Sequence, residues 1–106
     1  MDQLQGDIES LTDEIRSFAK ARDWEQYHTP KNLSMAIAGE AGELVAELQW
    51  LTPGESEPAK LSSEKVQSIK LEIADVQIYL LRLADVLGID VAAAVREKLA
   101  INERRF

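Results

Sequence analysis

The chain has 106 residues, of which 45% are hydrophobic and 29% are charged, with a formal net charge of −7 at pH 7. This composition predicts one globular domain over residues 1–106 and argues against intrinsic disorder. The absence of cysteine excludes disulfides and thiolate metal sites, and the acidic charge disfavours nucleic acid polymers and anionic membranes as partners. Without a recognisable leader or an apolar run of ~20 residues, we expect a cytoplasmic protein.

The first predicted helix runs from about Asp2 to Arg22. Its apolar residues recur at steps of four and three, which is the pattern of an amphipathic helix: Leu4, Ile8, Leu11, Ile15 and Phe18. The segment RDWEQYHTPKN that follows is polar and aromatic and contains Pro30, so it predicts a loop. We expect Asn32 to cap the next helix.

The second predicted helix, NLSMAIAGEAGELVAELQW, ends near Leu51 because Thr52-Pro53-Gly54 follows it. One stripe of this helix is apolar and consists of Leu33, Ile37, Leu44, Leu48 and Leu51. The far side is rich in small residues and consists of Met35, Ala38, Gly42, Ala46 and Gln49. Small residues let another helix approach closely, so this helix is expected to be packed on most of its sides.

Two further helices complete the predicted fold. Ser62 or Ser63 is expected to cap the third helix, which ends at Gly88. Its apolar stripe consists of Ile69, Ile73, Val76, Leu80, Leu83 and Leu87. Asp90 is expected to cap the fourth helix, which runs to about Arg104. Since no segment alternates as a strand does, the sequence predicts an all-α, four-helix bundle.

Acidic residues on two of these helices share faces. At 100° per residue, Glu40, Glu43 and Glu47 fall within roughly 60° of the second helix. On the third helix, Glu72 and Asp75 lie on one face with Tyr79 one turn further. If the two helices pack side by side, at least four carboxylates converge.

A solvated face is the ordinary explanation for such acids. The second helix leaves little surface for solvent, however, and carboxylates are almost never fully buried unless paired. The helical wheel places the basic residues Lys70 and Arg82 on other faces. A hard cation with oxygen ligands, Mg²⁺ or its substitute Mn²⁺, would resolve the repulsion. A di-iron site is disfavoured because the only histidine, His28, lies in a loop. Spacing by itself leaves the metal site and the solvated face both open.

The segments GEAGELVAELQW and EIADVQIYLL resemble the MazG-like all-α nucleotide pyrophosphohydrolase family, whose signature is ExxE on one helix and ExxD on the next. The loop RDWEQYH, the Gln49-Trp50 pair and the late lysine and asparagine are similar to the dCTP pyrophosphatase branch of that family. The resemblance covers roughly residues 15 to 105.

The resemblance implies cleavage between the α and β phosphates of a nucleoside triphosphate, giving a monophosphate and pyrophosphate. It implies that Mg²⁺ is held by the acids that match the signature, with Glu43 as our choice of general base: Glu40, Glu43, Glu72 and Asp75. It also implies that six other residues bind the nucleotide: Trp24, His28, Trp50, Tyr79, Lys98 and Asn102. Ordinary core packing for the tryptophans and Tyr79, and an exposed basic helix end for Lys98, remain the alternatives.

Three functions follow as hypotheses. The first is a Mg²⁺-dependent hydrolase that prefers dCTP or a modified dCTP and cleans the nucleotide pool. The second is a dUTP or broad dNTP hydrolase with the same chemistry. The third is a non-catalytic helical oligomerisation module. For the catalytic hypotheses the resemblance implies a homotetramer built from two dimers.

Overall fold

The computed structural model describes residues 2–106, with side chains from Gly6 onward. Over residues 2–106 it contains helices and no strand, which confirms the all-α prediction. The helices are α1 (Asp2–Ala21), α2 (Pro30–Leu48), α3 (Ser63–Leu87) and α4 (Val91–Arg105), with single 3-10 turns at Glu25–Tyr27 and Pro58–Lys60. Leu4, the first residue of the predicted α1 stripe, lies outside the described side chains. None of the helices in the described part of the chain has the length and hydropathy of a membrane span.

The end of α1 turns the chain back on itself. Asp23 adopts a left-handed conformation with φ 57°, and its N–H donates to the Lys20 carbonyl at 3.0 Å. The next N–H, of Trp24, donates to the Ala19 carbonyl at 2.9 Å, which completes a Schellman motif. The Trp24 ring then meets Phe18 edge to face, with ring centroids 5.7 Å apart.

The prediction that Asn32 caps α2 is wrong. The cap is Thr29, whose hydroxyl accepts a hydrogen bond from the Asn32 N–H at 3.2 Å. Pro30 takes the first helical position, where a missing N–H costs nothing. The Asn32 amide instead donates to the Tyr27 carbonyl at 3.0 Å and ties the loop to the helix.

The other predicted boundaries agree with the structure to within a few residues. Ser62 caps α3, and Asp90 caps α4 by accepting from the Ala93 N–H at 3.0 Å. Gly88 ends α3 with a φ of 68°, a conformation that glycine adopts without strain. The second helix ends at Leu48 rather than at Leu51.

The main packing contact joins α2 to α3, while α1 lies against α3 and touches α4 more weakly. The predicted stripe of α2 faces this contact, and Leu33 is fully buried. The small-residue side of α2 is open, because a Cβ added at Gly39 or Gly42 would meet nothing within 4 Å. Within the described chain α3 is the main neighbour of α2, so packing on most sides of α2 stays a prediction that contacts within this chain do not supply.

The chain leaves much apolar surface exposed. The predicted stripe of α3 includes Ile73, Leu80 and Leu87, which are all exposed, whereas Leu81 and Ala84 on the neighbouring face are buried. The radius of gyration is 16.2 Å, compared with about 13 Å for a compact domain of about 100 residues. This open shape leaves apolar helix faces available for association.

An ionic network joins α1 to α3. Asp85 accepts from Arg16 Nε at 2.9 Å and from Arg82 Nη1 at 2.8 Å. The Asp85 side chain is 13% exposed and that of Arg82 is 7% exposed, so this carboxylate neutralises a buried guanidinium. The hydrogen bond from Arg16 holds the pKa of Asp85 below its usual value, and this effect outweighs the burial that opposes it.

We expect Asp85→Asn to lower the free energy of unfolding by about 2 kcal/mol, because buried Arg82 loses a charged hydrogen-bond partner. Urea denaturation followed by circular dichroism measures the change. Asp13→Asn is the matched control: Asp13 pairs with Arg16 at an exposed position, and its removal should cost less than about 0.5 kcal/mol. Equal effects of the two substitutions would contradict the structural role of Asp85.

The difference between Asp85→Asn and wild type should also depend on pH. Because the native pKa of Asp85 lies below the unfolded value of about 3.9, the stabilisation is full above that pH. It is lost as the pH falls through the native pKa, so the two proteins should converge in stability in acid.

Candidate active site

Three carboxylates from two helices meet where α2 packs on α3. One oxygen each of Glu40, Glu72 and Asp75 lies within 4.8 Å of the others. Glu72 and Asp75 share a face of α3 because they are three residues apart, and Glu40 faces them from α2. The structure thus brings together three of the four acids that the sequence analysis selected.

Glu72 lacks the partner that a shielded carboxylate needs. Its Oε2 atom is buried and has no hydrogen-bond partner among the described residues. Loss of solvent raises the pKa of Glu72, and the negative charges of Asp75, Glu40, Glu43 and Glu47 raise it further. A cation at this point would supply the missing interaction, and the all-oxygen donor set fits Mg²⁺ or Mn²⁺.

The two remaining acids of α2 have different surroundings. Glu43 lies one turn after Glu40, is exposed, and does not belong to the group of three converging carboxylates. Glu47 accepts a hydrogen bond from Lys65 Nζ at 3.1 Å, and the same ammonium donates to the Glu47 carbonyl at 3.0 Å. Glu47 therefore has a basic counterion of its own and needs no metal.

A cavity of about 250 Å³ adjoins the acids. Three residues selected from the sequence, Trp24, His28 and Tyr79, line it together with Glu40 and Asp75. The Trp24 and His28 rings lie 6.5 Å apart at an interplanar angle of 61°. Most of the lining is apolar or aromatic, so the cavity suits a flat ring, while its acidic side suits a cation. We call it the aromatic pocket.

Arg82 is a site residue that was not predicted from the sequence. The helical wheel put it away from the acids, but Arg82 lines the aromatic pocket with Asp75 and is only 6% exposed. The helical-wheel assignment was wrong, because residues seven apart on a helix differ by only about 20° in direction. The spacing between Asp75 and Arg82 was the signal that could have found it.

Arg82 also holds His28. Its Nε donates to His28 Nδ1 at 3.0 Å. Burial lowers the pKa of His28, and the positive charge of Arg82 lowers it further. The neutral imidazole is therefore the main form at neutral pH, with its proton on Nε2.

Three other predicted binding residues do not line the aromatic pocket of the same chain. Trp50 lies in the turn after α2 and is 87% exposed. Lys98 lines a separate apolar groove of about 460 Å³ between α3 and α4. Asn102 lies one turn further along α4 and is half-buried. Their contact with a nucleotide stays a prediction.

The sequence model of the MazG-like family matches residues 35–106. This match includes both acidic motifs and more than half of the chain, so the chain belongs to the MazG-like family.

Individual relatives agree with this assignment. The chain is 45% identical to human dCTP pyrophosphatase 1 over 89 residues, which are 84% of this chain and 52% of the human protein. It thus spans about half the length of the curated relatives that it first matches. A crystal structure of a pyrophosphatase from Archaeoglobus fulgidus is 42% identical with a TM-score of 0.85, covering 92% of this chain and 90% of that chain. A shorter match, 60% identical over 35 residues and 33% of each chain, is to a dATP/dGTP diphosphohydrolase of Cyanophage S-2L. The resemblance to the dCTP pyrophosphatase branch is confirmed.

We expect Glu72→Gln to raise the melting temperature of the metal-free protein, because it removes a shielded carboxylate that has no partner. Mg²⁺ should raise the melting temperature of the wild type, since a ligand that binds only the folded state stabilises it. The variant should lose most of that response. Thermal unfolding in chelator and in MgCl₂ measures both effects.

Glu64→Gln is the control for this experiment, because Glu64 is an exposed acid in the first turn of the same helix. It should respond to Mg²⁺ as the wild type does. An equal Mg²⁺ response in Glu72→Gln would argue that the three carboxylates do not form a metal site.

Proposed function

We propose that this protein is a Mg²⁺-dependent nucleoside triphosphate pyrophosphohydrolase. It would cleave the α–β phosphate bond of a deoxynucleotide, with dCTP or a modified dCTP preferred, to release the monophosphate and pyrophosphate. One observation carries the proposal: Glu40 and Asp75 belong both to the converging carboxylates and to the wall of the aromatic pocket. A metal-bound triphosphate and a flat base can therefore occupy one continuous site.

The acids divide into two roles in this proposal. Glu40, Glu72 and Asp75 would hold Mg²⁺, with Mn²⁺ as a substitute, and the bound ion supplies charge neutralisation of the phosphates and activation of water. Glu43 would accept the proton of the attacking water as a new P–O bond forms and the bond to the pyrophosphate breaks. Its exposure and its position one turn from Glu40 support this role, because it is close to the ligands without joining them.

The aromatic pocket would hold the base. Stacking of a base on an aromatic side chain contributes about 1–3 kcal/mol in single-strand complexes, and Trp24 is the largest ring in the pocket. Tyr79 lies one turn after Asp75 and would pack against the sugar. Cytosine as the base is supported by the name of the human relative, with which this chain shares 45% identity over most of its length.

A second candidate keeps the chemistry and changes the base. The phage relative is called a dATP/dGTP diphosphohydrolase, which favours a broad dNTP hydrolase over a cytosine-selective one. That match covers a third of this chain, so it weighs less than the longer match. A non-catalytic helical module is disfavoured, because it does not explain why a buried carboxylate oxygen of Glu72 has no hydrogen-bond partner.

We further infer that the chain forms a homo-oligomer, a tetramer of two dimers by its resemblance to the family. Val95 and Leu99 on α4 and Met35 on α2 are more than half exposed, which is apolar surface that a small chain needs to cover. Association would also let Trp50 and Lys98 approach the aromatic pocket of a neighbouring copy.

Incubation with a panel of dNTPs and NTPs tests the proposed activity. We expect dCTP to become dCMP and pyrophosphate with Mg²⁺ and to remain intact in chelator, as read by chromatography. Glu43→Gln should lower kcat at least about 100-fold, the usual contribution of general base catalysis, whereas Glu64→Gln should retain full turnover. If no nucleotide changes with any divalent metal, or if Glu43→Gln turns over normally, the corresponding part of the proposal is wrong.

Light scattering coupled to gel filtration tests the oligomer. At micromolar concentration the wild type should have a multiple of the mass of one chain, and Leu99→Glu should shift it towards a smaller species by placing a charge on an apolar contact. Glu97→Gln, on the same helix, should leave the mass unchanged. A monomeric wild type would contradict the inference.

A further inference from the structure

Arg82 is the buried charged residue of the described chain, and the proposed reaction gives it no role. It lies two turns after Asp75 on α3, about 10 Å along the helix axis, at the end of the aromatic pocket away from the acid cluster. Its Nη1 donates to Asp85 at 2.8 Å and its Nε donates to His28 Nδ1 at 3.0 Å. A guanidinium held at two of its three nitrogens has little freedom to turn.

The support for this guanidinium extends to α1. Asp85, which orients Arg82, also accepts a hydrogen bond from Arg16 Nε at 2.9 Å. The ion pair between Arg16 and Asp85 joins the two helices that carry the pocket walls. Arg82 is therefore fixed by the fold before any ligand binds, as a residue that reads a ligand has to be.

Arg82 determines which ring nitrogen of His28 carries the proton. Arginine is always protonated in proteins and only donates, so His28 Nδ1 can only accept at this contact. The neutral ring then has its proton on Nε2, which becomes a donor. The Trp24 ring meets His28 edge to face, with centroids 6.5 Å apart, and limits its rotation.

The polar groups at this end of the aromatic pocket are consequently donors. His28 offers its Nε2–H to a ligand, since its Nδ1 is occupied by Arg82. A ligand that presents an acceptor to this N–H gains a hydrogen bond, and a ligand that presents a donor there does not.

We propose that Arg82 makes the pocket selective for cytosine over uracil and thymine by fixing His28 as an Nε2–H donor. Cytosine presents an acceptor at N3. Uracil and thymine present an N3–H donor at the same position, so the protein donor would face another donor. This inference rests on the proposed function, and sites that hydrogen-bond a substrate discriminate strongly because a mismatch leaves buried groups unpaired.

The test compares kcat/KM for dCTP and dUTP in wild type, Arg82→Met, Arg82→Lys and the control Lys70→Met, an exposed residue of the same helix. We expect Arg82→Met to reduce the dCTP/dUTP ratio at least about 10-fold, which is about 1.4 kcal/mol. Arg82→Lys keeps the charge without the planar fork and should lie between the two. Lys70→Met should keep the wild-type ratio. An unchanged ratio in both Arg82 variants would overturn the inference.

A second measurement needs no activity. The chain contains one histidine, so ¹⁵N NMR of the imidazole reports His28 without overlap. At neutral pH the wild type should show the Nε2–H tautomer, and Arg82→Met should show a mixture of both tautomers. If the methionine variant does not fold, the tautomer of the wild type decides. A mixture or an Nδ1–H ring in the wild type would overturn the inference.

The two proposals can fail separately. If the wild type hydrolyses dCTP but Arg82 variants keep its base preference, the role of Arg82 is wrong and the proposed function stands. If the wild type hydrolyses no nucleotide, the proposed function fails and cytosine selection fails with it, whichever tautomer the NMR spectrum reports.

Discussion

The packing of α2 along α3 is the contact on which the rest of the molecule depends. It buries Leu33 and partly covers the rest of the apolar stripe of α2, and the same alignment brings the acidic faces of both helices together. Apolar burial is not directional, so it can hold carboxylates at short range although they repel one another. The partnerless Glu72 oxygen shows the consequence. The helix pair is stable enough to maintain a group of acids that is unfavourable without a cation.

Two groups of charges on α3 have opposite surroundings. Near the middle of the helix, Glu72 and Asp75 face other acids, and the pKa of Glu72 is raised. Two to three turns later, Asp85 lies between two arginines and its pKa is lowered. The acids around Glu72 repel one another, and a bound cation would relieve this repulsion. The charge of Asp85 is already neutralised by arginines of the same chain. The aromatic pocket lies between the two groups, so a ligand there would meet the converging carboxylates on one side and the oriented His28 ring on the other.

The helices of the single chain leave much of their apolar surface uncovered. With one face of α2 covered and a groove left between α3 and α4, the chain does not bury the apolar surface that its composition offers. A chain of this length has a high ratio of surface to volume. Apolar surface therefore stays exposed on the single chain, and it includes Trp50 and the groove that Lys98 lines.

The sequence by itself determined the four helices, most of their caps and the pairing of acids on two faces, because periodicity and capping act within a few residues. Glycine at the end of α3 and aspartate before α4 needed no tertiary information. The sequence around Pro30 also predicts the correct cap of α2, because proline favours the first helical position and the residue before it, Thr29, is then the cap. The seven-residue spacing between Asp75 and Arg82 likewise puts both on one face of α3, although the prediction from the helical wheel had separated them.

Only the tertiary structure decided which faces became buried and which acids met. The small residues on one face of α2 predict that another helix packs there, yet no helix of the described chain covers this face. Glu47 differs from Glu40 because Lys65 of another helix reaches it. Arg82 binds His28 of a loop, and its other partner, Asp85, is also bound by Arg16 of α1. These outcomes depend on distances between segments far apart in sequence, which follow from how the helices pack rather than from the pattern of any one helix.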